Sequence, residues 1–318
     1  MSGMRAIGIR EFGNPESLRP MALPRPSPAK GEVLIRVVSA GVNPVDCMIR
    51  AGRLDGQFPH HFPLIPGWDL AGVVEEFGDD AGRFRLGDRV WACARKPTAQ
   101  WGSYAEYVSV SEDHVSQMPA KLLFEEAASV PLALLAAQQC LFDRPGVGEG
   151  ATVLIHAAAG GVGHFAVQLA KRSGARVIGT GSSASQPFIL GLGAEAGIDY
   201  TREDFRVAMK RLCPDGADLV LDLVGGETLT RSYETVRKGG RLVSLVDEPD
   251  EEAARGLGIT AHSQFVEPSG EQLDQFARLF DEQAIRTHVQ KMYPLAKAAE
   301  AHAALETRHV QGKLVLNL

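Results

Sequence analysis

The sequence lacks the features that define several other classes of protein. Four cysteines stand far apart, at Cys47, Cys93, Cys140 and Cys213, and form no C-x-x-C pair. Neither a disulfide framework nor a thiolate zinc site is therefore indicated. There is no basic excess, with 33 Lys and Arg against 39 Asp and Glu, and no long uncharged apolar run or signal-peptide core. We expect a cytoplasmic protein that binds neither nucleic acid nor a membrane.

The first third of the chain has the alternating, β-branched texture of short strands. Such runs occur at residues 33–40, around Val90 and at residues 104–110, and clusters rich in Pro and Gly separate them. The pattern predicts a compact, barrel-like β domain. With 318 residues, the chain is long enough for a second domain as well.

From about Phe124 the texture changes to short apolar runs that alternate with helical stretches. Strands that are apolar throughout, separated by helices, predict a parallel, doubly wound α/β sheet. We expect the last strand of the chain to return to the first domain, so that the second domain is an insert. The predicted strands are 152–156, 175–179, 218–222, 241–245 and the final 313–318; the predicted helices are 163–173, 188–192, 205–212, 229–237 and an amphipathic helix with Leu273, Phe276, Leu279 and Phe280.

The strongest chemical signal is a glycine-containing turn between a predicted strand and a predicted helix. An apolar strand leads to Gly160, Gly161, Val162 and Gly163 and then directly into the helix. Gly160 would let the backbone approach a pyrophosphate, and Gly163 would let helix and strand pack closely. The helix N-terminus would offer free N–H groups to the phosphates. Ala158 stands where the usual G-x-G-x-x-G pattern begins, so the motif is a variant that still predicts a dinucleotide-binding fold.

The residues after the second strand of this domain bear on which dinucleotide is bound. A site for NADH usually carries an acidic residue about 20 residues past the glycines, which holds the ribose 2′-hydroxyl. Residues 180–185 read Thr-Gly-Ser-Ser-Ala-Ser, with no acid and no Arg or Lys. Small hydroxyls suit a 2′-phosphate, which an acid would repel, so the segment favours NADPH. The candidate cofactor-binding set is Ala158, Gly160, Gly161, Val162, Gly163, Thr180, Ser182, Ser183, Tyr200, Val224 and Leu245.

Seven short segments follow one another along the chain. They are Ala-Gly-Val-Asn-Pro-Val-Asp at 40–46, Pro-Gly-Trp-Asp-Leu-Ala-Gly-Val-Val at 66–74, Gly-Asp-Arg-Val at 87–90, Gly-Gly-Val-Gly at 160–163, Gly-Gly-Arg-Leu-Val-Ser at 239–244, Tyr-Pro-Leu-Ala-Lys-Ala-Ala-Glu-Ala-His at 293–302 and Gly-Lys-Leu-Val-Leu at 312–316. Together they resemble the medium-chain dehydrogenase/reductase superfamily, and more narrowly its zinc-free quinone oxidoreductase (zeta-crystallin-like) branch. The resemblance implies a GroES-like catalytic domain, residues 1–121 and 269–318, with a Rossmann dinucleotide-binding domain, residues 122–268, inserted in it. It also implies a homodimer.

The resemblance also bears on metal and on catalysis. Zinc-dependent relatives carry a Cys where this chain has Asn43 and a His where it has Trp68, and neither replacement is a zinc ligand. The His60–His61 pair has no third ligand nearby in sequence, so we expect no metal. The resemblance places Asn43 beside the nicotinamide, where its amide would bind a substrate carbonyl or position the ring. We expect Asp46 to hold the loop, although Asn-Pro and Asp are also ordinary turn residues.

Two departures from the relatives concern the predicted substrate pocket. Met48 stands where many relatives carry an aromatic residue or Lys, and Ala136 stands where they often carry a Thr, so we expect a more apolar pocket. The resemblance implies NADPH-dependent hydride transfer to a small quinone or enone. Two alternatives stay open: an enoyl-thioester reductase, for which Arg50, Arg53 or Arg95 would bind a carrier phosphate, and a non-catalytic NADPH-binding redox sensor.

Overall fold

A computed structural model describes residues 3–143 and 147–318, and within these ranges the chain forms short strands and helices throughout. No helix in the described ranges is long and apolar enough to cross a membrane. The strands are β1 Gly3–Gly8, β2 Arg19–Pro24, β3 Glu32–Val42, β4 His60–Ile65, β5 Asp69–Phe77, β6 Arg89–Cys93, β7 Ala99–Trp101, β8 Tyr107–Ser111, β9 Val115–Gln117, β10 Thr152–Ile155, β11 Arg176–Gly181, β12 Ala196–Asp199, β13 Ala217–Asp222, β14 Val236–Ser244, β15 Thr260–Ser263, β16 Val289–Pro294 and β17 Lys313–Asn317. The helices are α1 Pro44–Arg50, α2 Phe124–Ala128, α3 Pro131–Phe142, α4 Gly163–Arg172, α5 Gln186–Gly191, α6 Phe205–Leu212, α7 Gly226–Ser232, α8 Glu251–Gly256, α9 Gly270–Asp281 and α10 Ala298–Glu306.

Two compact units divide the chain. The first unit comprises residues 1–135 and 268–318, and the second unit comprises residues 136–267. The sequence places the first boundary earlier, at 121/122, where the helical texture begins. The structure assigns α2 to the first unit, because this helix packs on β3 and β5 of the main sheet there. The second boundary lies within one residue of the predicted position.

The first unit is built around a seven-stranded sheet. Its order is β16-β17-β3-β5-β6-β9, with β8 also paired to β3, and the pairs β1-β2 and β4-β7 lie outside it. The last strand, β17, pairs antiparallel with β3, with Leu314 opposite Val42, so the predicted return of the chain to the first domain is confirmed. The apolar residues of β17 and, apart from the half-buried Val38, those of β3 are buried in this unit.

The second unit contains a six-stranded sheet in the order β12-β11-β10-β13-β14-β15. Every neighbouring pair in it is parallel. Counted within the unit, this is the order 3-2-1-4-5-6 of a doubly wound dinucleotide-binding fold. All four residues of β10 are buried, as expected for a central strand covered on both faces. The predicted parallel, doubly wound sheet and the separate β-rich unit are confirmed.

One predicted helix is misplaced. The apolar pattern predicts a helix over residues 229–237, whereas α7 ends at Ser232 and β14 already begins at Val236. A short 3-10 turn, Tyr233–Thr235, separates them. Val236 is β-branched and precedes Gly239 and Gly240, so its surroundings favour an extended chain over a helix.

Candidate cofactor and active site

The glycine turn joins the end of β10 to the start of α4. A Cβ at Gly163 would press into the carbonyl oxygen of Ala157 and lie 2.8 Å from the Ala158 Cα, both backbone atoms. This position therefore requires glycine for close packing of helix and turn, as the sequence predicts. Gly160 is only partly buried, and a Cβ there would meet a single atom at 3.2 Å. Gly160, Gly161 and Val162 leave backbone open to solvent just before the helix N-terminus, which suits an anionic ligand.

Two buried residues of the candidate cofactor set, Ala158 and Thr180, stabilise this turn by hydrogen bonds. Ala158 is fully buried, and its N–H donates to the Thr180 carbonyl over 2.9 Å. The Thr180 hydroxyl lies 3.1 Å from Nδ1 of buried His156 and accepts a bond from the Ala157 N–H over 3.3 Å. Nε2 of His156 lies 3.0 Å from the Ser232 hydroxyl. Ala158 and Thr180 thus help to build the turn, and their role in cofactor binding stays a prediction.

Three further residues of the candidate cofactor set, Ser182, Ser183 and Tyr200, lie just after the ends of β11 and β12. Ser182 is partly buried, Ser183 is exposed and Tyr200 has 57% of its surface exposed. The Tyr200 N–H donates to the Gly181 carbonyl over 3.2 Å, which ties the two strand ends together. The Ser183 hydroxyl donates to the carboxylate of Asp199, the last residue of β12. Sequence reasoning missed Asp199, because it stands on a different strand from residues 180–185.

Val224 and Leu245 follow β13 and β14, and one buried carboxylate organises both segments. Asp222 accepts bonds from the N–H groups of Val224 and Gly225 over 3.2 and 3.0 Å and from the Ser244 hydroxyl over 3.1 Å. The Leu245 N–H donates to the Asp222 carbonyl over 3.1 Å. Burial raises the pKa of this carboxyl group, and the hydrogen bonds oppose the shift. The signal for it was present, since an Asp that ends an apolar run before two glycines marks a strand end.

The candidate cofactor residues therefore collect at one edge of the sheet. The strands end at Ile155, Gly181, Asp199, Asp222 and Ser244, and parallel strands carry these ends at the same edge. Ligands of open α/β sheets bind at that edge. An uncovered backbone turn before a helix, beside strand ends rich in small polar residues, fits a dinucleotide. The turn fits the pyrophosphate, and the groups near the ribose position include the Asp199 carboxylate, which accepts hydrogen bonds.

In the first unit, Asn43 lies in a buried polar cluster. Its side chain is 3% exposed; Nδ2 donates to the Asp69 carboxylate over 2.9 Å, and Oδ1 accepts a bond from Lys313 Nζ. Lys313 also lies 3.5 Å from the Asp69 carboxylate, and the Leu132 N–H donates to the other Asp69 oxygen over 2.7 Å. Burial raises the pKa of Asp69, while the Lys313 charge acts in the opposite direction. Both ends of the Asn43 amide thus have partners within the fold.

A second buried cluster begins three residues later in helix α1. The Asp46 carboxylate accepts a bond from the Asn43 N–H over 2.8 Å, so it holds the start of α1, the role expected for it. The Tyr104 hydroxyl donates to Asp46 over 3.3 Å and lies 2.9 Å from Nε2 of His302. Burial raises the pKa of Asp46 to about 7 and lowers the pKa of His302 to about 3. The nearby Arg50, only 2% exposed, pairs with Glu306.

A shallow, open cavity lies in the first unit. It is lined by Trp68, Trp101, Ile49 and Leu64, and the Lys96 side chain also forms part of its wall. The Lys96 ammonium itself is 2.9 Å from a Glu32 carboxylate oxygen, and the cavity lining combines apolar with polar side chains. Trp68, which precedes Asp69 at the start of β5, brings the cavity next to the Asn43 cluster.

The remaining predicted positions are placed as follows. His60 stacks on Phe12 with ring centroids 4.8 Å apart, and no group of three or more His, Cys, Asp or Glu within residues 3–143 and 147–318 is arranged to hold a metal. Met48 is partly buried in α1, and Ala136 is buried in α3. Of the arginines considered for a carrier phosphate, Arg53 is exposed and Arg95 is partly buried.

Comparison with known proteins covers the whole chain. The family profile described as alcohol dehydrogenase GroES-like domain matches residues 29–120, and that described as zinc-binding dehydrogenase matches residues 192–316. Human quinone oxidoreductase is 30% identical, over 99% of this chain and 98% of its own length. The structure of the quinone oxidoreductase from Coxiella burnetii is similar with a TM-score of 0.92 and 36% identity, over 100% of both chains.

Two further solved structures differ in the cofactor that they name. A NAD-dependent alcohol dehydrogenase is similar with a TM-score of 0.90 and 32% identity, over 99% of this chain and 100% of its own. A mycobacterial protein in complex with NADPH is similar with a TM-score of 0.88 and 31% identity, over 99% of this chain and 100% of its own. The likeness in fold thus extends to proteins named for either dinucleotide.

Proposed function

The chain belongs to the medium-chain dehydrogenase/reductase superfamily, in its quinone oxidoreductase branch, and on that premise we propose that it reduces quinones or α,β-unsaturated carbonyls without zinc. The observation that carries the proposal is the uncovered glycine turn at the carboxyl edge of the parallel sheet. Because this edge is where such folds bind dinucleotides, the reductant is a bound nicotinamide dinucleotide. The cofactor, when bound, supplies the hydride.

The second unit holds the cofactor in this proposal. The backbone at Gly160, Gly161 and Val162 and the N-terminus of α4 would bind the pyrophosphate. Ser182, Ser183 and Tyr200 would lie along the adenosine end, and Val224 and Leu245 along the other strand ends. The sequence of residues 180–185 favours NADPH, whereas the structure adds Asp199 at the same place. The choice between NADPH and NADH therefore depends on that carboxylate.

The first unit supplies the substrate pocket in this proposal. Indole rings at Trp68 and Trp101 with aliphatic neighbours suit a flat, conjugated ring. Asn43 acts as a positioning residue, because its amide holds Asp69 and Lys313 beside the segment that carries Trp68. Arg50 is buried and paired with Glu306, so it is not available to a carrier phosphate. This weakens the enoyl-thioester alternative.

A quinone panel tests the proposal. Purified protein should oxidise a reduced nicotinamide dinucleotide with simple and fused-ring quinones, and the same rate is expected in excess EDTA because catalysis uses no metal. A variant with Gly160→Asp should lose this activity. Dinucleotide binding without turnover of any quinone or enone would instead favour the non-catalytic sensor, and faster turnover of an enoyl thioester would favour the thioester reductase.

A further inference from the structure

We infer that Asp199 selects the dinucleotide, favouring NADH by accepting a hydrogen bond from the ribose 2′-hydroxyl and repelling the 2′-phosphate of NADPH. The inference rests on the proposed function, because it concerns the dinucleotide site of the second unit. It replaces the preference for NADPH that the sequence of residues 180–185 predicts. Asp199 ends β12, whereas residues 180–185 lie at the end of β11 and just after it.

The geometry places this carboxylate among the hydroxyl groups that were expected to receive the phosphate. Asp199 accepts bonds from the Ser183 hydroxyl, from the Thr201 hydroxyl over 2.6 Å and from the Thr201 N–H over 3.0 Å. Strands β11 and β12 are paired in parallel, with Gly181 opposite Asp199, so the end of one lies beside the end of the other. The Ser183 hydroxyl is thus already bonded to an anion and is not available to a phosphate.

The charge on Asp199 is held in place. The hydrogen bonds from Ser183 and then Thr201 lower the pKa of this exposed carboxyl group, so it stays ionised at neutral pH. A 2′-phosphate at this point would meet a like charge, whereas a ribose hydroxyl would find an acceptor. This is the chemistry by which acidic residues distinguish the two cofactors in dinucleotide folds, reached here from the neighbouring strand.

The groups that hydrogen-bond to Asp199 or clamp its strand end are uncharged. Gln186 is uncharged, and its amide donates to the carbonyls of Gly181, Ser182 and Ile198 over 3.0, 3.3 and 3.2 Å, which clamps the two strand ends together. Arg202 is the cation nearest along the chain, and its charge helps to keep Asp199 ionised. Within the described residues, no ion pair joins Arg202 to Asp199. The Asp199 carboxylate would therefore present its negative charge to a bound dinucleotide.

Binding titrations of NADH and NADPH, followed by nicotinamide fluorescence in the absence of substrate, test the inference. We expect the wild-type protein to bind NADH about tenfold more tightly than NADPH, as suits one added like-charge contact. Asp199→Asn, which keeps the shape of the side chain and removes the charge, should abolish or reverse this ratio. Asp215→Asn is the matched control, because Asp215 is an exposed acid that precedes β13 at the opposite edge of the sheet.

The possible results separate the inference from the proposed function. If the wild type binds NADPH more tightly, or if Asp199→Asn leaves the ratio unchanged, the inference is overturned while the proposed function stands. If neither dinucleotide binds, the proposed function fails first. Ser183→Ala gives a second test, because it removes the hydroxyl and keeps the acid. This variant should still favour NADH, and a shift of it toward NADPH would assign selection to Ser183 and overturn the inference.

Discussion

Asn43 is bonded at both ends of its side chain, and this sets how its role can be tested. The Asp69 carboxylate and the Lys313 ammonium are both buried, and the Asn43 amide lies between them, one end bonded to each. Buried charges need such partners, because an unpaired charge in the interior is costly. The resemblance assigns Asn43 to the chemistry, which stays a prediction, whereas the hydrogen bonds give it a definite task in the fold.

Replacing Asn43 by Ala should lower the free energy of unfolding by about 1–3 kcal/mol, because two buried groups lose a hydrogen-bonding partner. Denaturant unfolding measures this, with Asn317→Ala as the control, since Asn317 is an exposed residue of the same unit that accepts a bond from Ser39. Single-turnover hydride transfer, expressed per folded molecule, should fall modestly, as expected of a residue that positions the segment carrying Trp68 without touching the substrate. Unaltered stability together with a large loss of transfer rate would instead place Asn43 in direct contact with the substrate.

At the level of single residues, the sequence predicted which segments lie near the cofactor better than it predicted what each side chain does. The sequence places Thr180 among the cofactor-binding residues. In the structure it belongs to β11, and its hydroxyl lies within hydrogen-bond distance of His156. The local sequence does not indicate Asp199, because its proximity to Ser183, 16 residues away in sequence, arises from the pairing of β11 with β12. Such contacts depend on strand register, which a single sequence does not state.

The turn between β10 and α4 illustrates how an element depends on one missing Cβ. Ala157 takes a left-handed conformation with φ of 49°, which turns its carbonyl toward the start of the helix. That carbonyl accepts the Gly160 N–H over 2.9 Å and occupies the space that a Cβ on Gly163 would need. The helix can approach the sheet only because Gly163 has no side chain. The sequence motif predicted this element and its contacts.

Gly163→Ala and Gly160→Ala should therefore behave differently. The first should cost about 1–3 kcal/mol of stability and weaken dinucleotide binding, because the new methyl group forces helix and turn apart. The second should be nearly neutral in stability, since its methyl group meets one atom at 3.2 Å. Thermal melting and NADH titration measure both effects. Equal losses in the two variants would show that close packing at Gly163 is not what the turn requires.

Gly160→Asp extends the comparison to charge. The added carboxylate would lie where the pyrophosphate approaches, so binding of either dinucleotide should be abolished by bulk and like-charge repulsion. The fold should remain, because Gly160 is partly exposed. A folded Gly160→Asp protein with normal affinity would move the dinucleotide away from this turn.

For the molecule as a whole, the alternation of apolar strands and helices predicted the parallel sheet, because strands that are covered on both faces have a clear signature. The return of the last strand to the first domain was also predicted, whereas its place between β16 and β3 was not. The boundary at 135/136 was not, because α2 has a helical sequence but packs on the first unit. The homodimer that the resemblance implies stays a prediction.

Each unit also contains a buried histidine that is neutral in the fold, and this predicts how stability depends on pH. Burial lowers the pKa of His156 and of His302 to about 3, against about 6.5 in the unfolded chain. Below pH 6.5 the unfolded state therefore binds protons that the folded state does not, so stability falls on acidification until about pH 3. Asp46 acts oppositely between about pH 7 and 4, because its raised pKa lets the folded state hold a proton more tightly.

Differences between variants isolate these contributions. We expect the unfolding free energy of the wild type to fall more steeply from pH 7 to 5 than that of His156→Asn or His302→Gln, because each variant removes one group whose protonation favours unfolding. Asp46→Asn should make the fall steeper, since it removes the opposing contribution. Urea unfolding at several pH values measures the slopes. If the two buried-histidine variants kept the wild-type slope, the acid sensitivity would have to arise from carboxylates, and neutral burial of His156 and His302 would be ruled out as its cause.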